Sequence, residues 1–126
     1  MGLRLQPQEV EGYLHVVGEG PVVTEDVASY VDEGVRLIIS LGLPGAFVDF
    51  SRAVLEMSIF DIFKLPDWFD DRKLPRATRI AVLLPADAAN MHKYVFFDDV
   101  SNNRGYQVRL FWESTRALDW LRGGPV

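Results

Sequence analysis

Three short apolar runs constrain this chain's fold most. Ala46-Phe47-Val48-Asp49-Phe50, Ile80-Ala81-Val82-Leu83-Leu84 and Val108-Arg109-Leu110-Phe111-Trp112 are rich in branched and aromatic side chains, and Pro85 closes the second. Runs this short and this apolar read as strands buried on both faces. Helix-length stretches separate them, and parallel neighbours need a crossover of a dozen or more residues. The chain is therefore expected to be α/β, with a mainly parallel sheet whose crossovers are right-handed.

The remaining elements fit that frame. Leu3–Gln6 reads as a short edge strand and Tyr13–Val17 as a better one, stopped by Gly18-Glu19-Gly20-Pro21. Their short connection implies an antiparallel pair. Thr24 is expected to cap a helix with Glu25 and Asp26 in its first turn, where the helix dipole favours acids. Val27, Val31, Val35, Ile38 and Ile39 would form its buried stripe, and Gly42 its stop. Ser58-Ile59-Phe60-Asp61 resembles a capping box with Asp in place of Glu. It is expected to open a short helix that Pro66 ends, followed by an irregular segment with exposed aromatic surface. Ala86–Asn102 is expected to be helical through Ala88, Met91 and Val95. Ser114 would cap a last helix carrying Ala117, Leu118 and Leu121, closed by Gly123-Gly124. The expected order is β-β-α-β-α-β-α-β-α, a mixed, mainly parallel sheet of about five strands in one domain spanning 1–126.

Composition narrows function by exclusion. With 126 residues the chain is sized for one domain, and 48% hydrophobic with 25% charged residues is ordinary globular usage. There is no cysteine, so no disulfide or thiolate chemistry is available. The start, Met1 to Pro7, lacks an apolar signal core, and no apolar run approaches the ~20 residues that span a bilayer. A cytoplasmic protein without a membrane span is expected. The net charge of −5, with 13 scattered Lys and Arg, argues against nucleic acid as a partner.

Several local patterns resemble the SpoIIAA-like (STAS/SEC14-type) domain family, which includes the sporulation anti-anti-sigma factor. Val48-Asp49-Phe50-Ser51 resembles the family's "(V/L)-D-(L/F)-S" strand end. Gly105-Tyr106-Gln107-Val108-Arg109-Leu110-Phe111 followed by Ala117-Leu118-Asp119-Trp120-Leu121 resembles its "rG-x-x-V-R-x-F … A-L-x-W-L" ending. The resemblance implies a STAS-like fold and a non-enzymatic regulatory role, binding a protein partner or a second copy of itself. It also implies a phosphorylatable serine about nine residues beyond the strand-end Asp, and counting from Asp49 gives Ser58. Where the family pattern is Asp-Ser-small-Gly, this chain reads Met57-Ser58-Ile59-Phe60. Ser58, Ser51, Asp49 and Asp61 are accordingly the candidate phosphorylation or partner-binding residues.

No catalytic constellation is legible. His15 lies mid-strand as an ordinary cross-strand residue and His92 on a solvated helix face; neither has a partner at metal-ligand spacing. Asp49, Glu56, Asp61, Asp67, Asp70 and Asp71 fall near the expected carboxyl end of the Ala46–Phe50 strand and read as a solvated acidic loop, the alternative being a carboxylate pair that does acid/base work or holds a divalent cation. No glycine-rich phosphate loop occurs, and no cofactor or metal is expected. The aromatics are the other lead. Adjacent pairs Trp68-Phe69 and Phe96-Phe97 cannot both point inward, so apolar surface is expected there. Phe63, Trp68, Phe69, Phe96 and Phe97 are the candidate lining of an interface, or of a cavity between sheet and helices holding a small apolar, lipid-like ligand.

Overall fold

The computed structural model describes residues 2–8, 12–87 and 89–123. Its elements run β1 (Gly2–Gln8), β2 (Tyr13–Val22), α1 (Thr24–Leu41), β3 (Gly45–Leu55), α2 (Ile59–Phe63), α3 (Leu65–Asp71), β4 (Arg79–Leu83), α4 (Met91–Asn103), β5 (Gln107–Phe111) and α5 (Ser114–Leu121). The five strands form one sheet in the order β1-β2-β3-β4-β5. β1 is antiparallel to β2, and β2 through β5 run parallel. The expected mixed, mainly parallel sheet is what forms.

Strict alternation along the central strands divides the core in two. Leu14, Ala46, Phe50, Ile80 and Val82 meet α1, α2, α3 and α4 on one face. Tyr13, Phe47, Ala81 and Leu83 meet Ala117, Trp120 and Leu121 of α5 on the other. His15 is half-buried and stacks on Phe47, ring centroids 5.4 Å apart. α5 crosses β3 closely: a Cβ on Gly45 would lie 2.6 Å from the Arg79 carbonyl oxygen and 2.8 Å from Leu121.

β3 runs five residues past its expected end. Its register against β2 shifts between Val17↔Asp49 and Glu19↔Arg52, which inserts one extra residue in β3. Beyond that bulge the inward phase changes, so that Ala53 and Leu55 enter the core while Arg52 and Val54 face out. Gly18 sits opposite, where a Cβ would come within 2.8 Å of the Phe50 ring. Pairing with β4 stops at Asp49↔Leu83 and β1 pairing stops at Glu19, so Ala53–Leu55 form a two-stranded ribbon with β2.

Other boundaries depart from expectation for local reasons. The residue before α1 is Val23, which offers no side-chain cap; Thr24 is the first helical residue and its hydroxyl is used elsewhere. Within α1, Val35 and Ile38 are buried, whereas Ile39 is half exposed, since it lies about 100° round from Ile38. Gly42 ends α1 in the left-handed conformation, φ 63°, as expected. Pro66 does not break the chain but starts α3, where its missing N–H costs nothing, so Asp67–Asp71 is helical rather than irregular. α4 begins at Met91, not Ala86; Asp87 instead accepts from the Ala89 N–H at 3.0 Å in a turn. The residue before α5 is Glu113, and Ser114 makes no cap. β5 has a single neighbour strand, so Trp112, expected in a buried strand, is 59% exposed beyond its end. Ala88 and Gly124 lie outside the described residues.

Candidate functional site

The corner where β3 turns into α2 holds Ser58, Asp61 and Phe63 of the residues singled out from sequence. Ser58 precedes α2 in extended conformation, and its hydroxyl accepts from the Asp61 N–H at 3.1 Å, a conventional N-cap. The reciprocal half of a capping box is absent. The Asp61 carboxylate turns outward and accepts from the Thr24 hydroxyl at 2.8 Å, tying α2 to the start of α1. An Asp is one methylene shorter than the Glu that usually reaches back, which leaves it free for this tertiary contact. Asp49 and Ser51 form a second pair on one face of β3: the Ser51 hydroxyl and backbone N–H both donate to Asp49 Oδ1, at 2.6 and 3.0 Å.

Helix α2 cannot hide its own composition. Four of its five residues, Ile59, Phe60, Ile62 and Phe63, are apolar, and a single short turn buries only one direction. Ile62 takes it, at 1% exposure. Phe60 is left 67% exposed and Phe63 55%, with Ile59 and Val95 of α4 also exposed. Lys64 lies 4.3 Å from the Phe60 ring centroid. Phe63 stacks on Phe96 at 6.4 Å. The result is an apolar surface patch beginning at Ser58.

The aromatic pairs resolve differently from the expectation. Phe69 is buried and Trp68 half-buried; Phe96 and Phe97 are both half-buried. Phe96 leans on Phe63 and Phe97 on Phe69, so each ring of the adjacent pair finds its own partner. In this region the exposed aromatic surface is therefore on α2, not in the Trp68-Phe69 stretch.

Nor does the acidic loop act as a unit. Asp67 and Asp70 pair with Arg104, Asp70 also with Arg76 at 2.9 Å, and the Tyr106 hydroxyl donates to Asp70. The Arg76 guanidinium covers the Tyr106 ring at 4.2 Å. Tyr106, foremost, and the two arginines hold the Asp70 carboxyl below the usual carboxylate range. Burial, then the Asp70 contact, pushes the Tyr106 phenol up to about 12. This network staples α3 to the α4–β5 turn. Among the described residues, no three His, Asp or Glu side chains converge as a metal ion would require.

Between the sheet and α1 to α4 lies an apolar cavity of ≈ 150 Å³, partly open at one side. Its walls include Val16, Val31, Gly34, Met57, Phe69 and Phe97. Of the aromatic candidates, Phe97 and Phe69 line it and Phe63, Trp68 and Phe96 do not. Tyr94 is a further wall residue whose hydroxyl is buried without a hydrogen-bond partner. An unpaired hydroxyl leaves no trace in sequence.

The fold is the SpoIIAA-like fold. The chain resembles an uncharacterized protein of the DUF3478 family with a SpoIIAA-like fold from Shewanella loihica PV-4, at TM-score 0.58 and 18% identity over 94% of this chain and 91% of that one. It also resembles the anti-sigma factor antagonist SpoIIAA in its unphosphorylated form, at TM-score 0.55 and 13% identity over 96% of this chain and 98% of that one. No protein-family model matches the chain, and no curated protein matches it by sequence. No described helix is long and apolar enough to cross a membrane.

Proposed function

We propose that this chain is a non-enzymatic, cytoplasmic regulatory domain that docks a protein partner through the α2 corner, in the manner of an anti-sigma factor antagonist. The observation that carries the reading is the exposure of Phe60 and Phe63 beside Ser58. Adjacent large apolar side chains left in water by a short helix are what an interface core needs. Likeness to an anti-sigma factor antagonist supports a partner of protein type. Ser58 sits at the rim of the patch with its hydroxyl engaged by only one donor, and Asp61 and the Asp49–Ser51 pair supply polar groups nearby in sequence. Phosphate on Ser58 would add charge next to both the patch and the Asp61 carboxylate, which is how a switch on docking would act. The partner is a different protein or a second copy of this chain.

Affinity capture from the cells that make the protein tests this, comparing wild type with Phe60→Ser/Phe63→Ser and with Ser58→Asp and Ser58→Ala. A specific protein retained by wild type and lost from the double variant is expected. Equal capture by all four would refute the α2 surface, and equal capture by the two Ser58 variants alone would end the switch.

The cavity favours a second reading, a carrier of a small apolar molecule. Native mass spectrometry of protein purified from cells checks it: a reproducible bound mass is expected, and a bare chain contradicts it.

A further inference from the structure

β5 closes the sheet on one side, with β4 its only neighbour among the described strands. An uncovered strand edge is a template for pairing with another chain. One bond fixes the direction of its backbone groups. The Phe111 carbonyl accepts from the Leu84 N–H at 2.9 Å, so it faces β4. Backbone groups alternate sides along a strand, which turns those of Val108 and Leu110 away from β4. Val108 nevertheless has both groups satisfied. Its N–H donates to Asn102 Oδ1 at 3.2 Å, and its carbonyl accepts from Asn102 Nδ2 at 3.0 Å.

One carboxamide thus makes the pair of bonds that a residue of a sixth strand would make. It can do so because it carries an acceptor and a donor side by side. Asn102 lies in the last turn of α4, and its Nδ2 also donates to the Asp98 carbonyl at 2.7 Å, one turn back, which orients the amide. Just before β5, the Tyr106 N–H is taken by the Ser101 carbonyl at 3.1 Å. The end of α4 therefore covers the first half of the β5 edge. Beyond it Leu110 is half-buried, and no described side chain bonds its backbone. Val108-Arg109-Leu110-Phe111-Trp112 is rich in strand formers and carries a single charge, the composition that pairs with its own kind. We infer that Asn102 guards this edge: its side chain takes the place of a sixth strand and keeps β5 from pairing with β5 of a second copy of the chain. The guard is independent of docking at α2.

Amide-resolved hydrogen exchange on the full chain, dilute and concentrated, tests the guard, with light scattering for mass. In wild type the Val108 N–H should be protected about tenfold or more beyond that of Leu110, the scale of one hydrogen bond, and neither should change with concentration. Dilute Asn102→Ala should lose this difference. On concentration, Val108 and Leu110 should gain protection together as dimers form. Arg109, whose N–H faces β4, reports that the sheet is intact. Adding Leu110→Pro removes an outward N–H and no bond to β4, so the double variant should return to monomer. If Asn102→Ala lowers Arg109 protection, Asn102→Asp replaces it: the carboxylate accepts from the Val108 N–H but cannot donate to its carbonyl, and the same gain at Leu110 is expected. A variant that stays monomeric when concentrated, with its sheet intact, overturns the guard and leaves Asn102 a staple between α4 and β5. Dimers that leave Leu110 unprotected, or that survive Leu110→Pro, place the contact elsewhere and overturn it equally.

Discussion

Gly34→Ala is the sharpest probe of the cavity. Gly34 is buried in the middle of α1 and lines the cavity, with a backbone that any residue adopts. A Cβ there would meet a single neighbour, Leu14 Cδ2, at 3.3 Å. Leu14 is itself a cavity wall, so its methyl has space to yield by the few tenths of an ångström required. Replacing glycine by alanine in a helix interior gains about 0.8–1.0 kcal/mol. Burying one more methyl group adds about 0.8 kcal/mol. Allowing a few tenths for the shift of Leu14, the net stabilisation is about 1–1.5 kcal/mol. At ~2.1 cal/mol/K of unfolding entropy per residue, a chain of 126 residues converts this into a Tm rise of about 4–6 °C. Differential scanning calorimetry reads it directly. In a fully packed core the same methyl would be overpacked and destabilising by about 1–3 kcal/mol. A Tm that falls would therefore refute the cavity.

Other consequences follow from single contacts. Gly45→Ala should lower Tm by several degrees, because the clash at 2.6 Å is with backbone, the Arg79 carbonyl, and cannot be relieved by a side-chain rotation; an unchanged Tm would contradict the close β3–α5 approach. Tyr94 and Tyr106 are both raised to about 12 from 10.0, so the fold favours the neutral phenols and loses stability as pH rises from 10 through 12; a spectrophotometric titration should show two late phenols coupled to base unfolding. Asp70 works in the opposite sense. Its folded pKa is depressed, so its contribution is present above its ordinary value of 3.8 and lost as pH falls below it, and Asp70→Asn should flatten the acid limb of the stability curve.

Much of the fold was legible because it depends on period and spacing. The apolar runs at Ala46, Ile80 and Val108 specified the parallel strands, and Gly42 the end of α1. What was hidden depends on tertiary contact. The extension of β3 was invisible because the bulge after Phe50 shifts the inward phase by one residue, which breaks the alternation that marks a strand. Pro66 was ambiguous, since proline both ends one helix and starts another. At the site, Ser58 was found by its position as a helix cap and by family resemblance, yet the destination of Asp61, the Thr24 hydroxyl across 37 residues, has no local signal. Adjacent aromatics gave the right suspicion and the wrong location. Phe96 and Phe97 each found a partner, whereas the one-turn helix α2 had a single direction to bury and left Phe60 and Phe63 outside.

Photo-crosslinking from position 60 tests the docking surface most directly. A benzophenone amino acid replacing Phe60, already 67% exposed, leaves the core untouched, and the same group at Asp119, on exposed α5 across the sheet, serves as control. Irradiation in the native cells should join position 60, and not position 119, to one discrete protein, with a product of twice the chain's 14.3 kDa identifying a second copy. Absence of any product at position 60, or identical products from both positions, would contradict the α2 corner as an interaction surface.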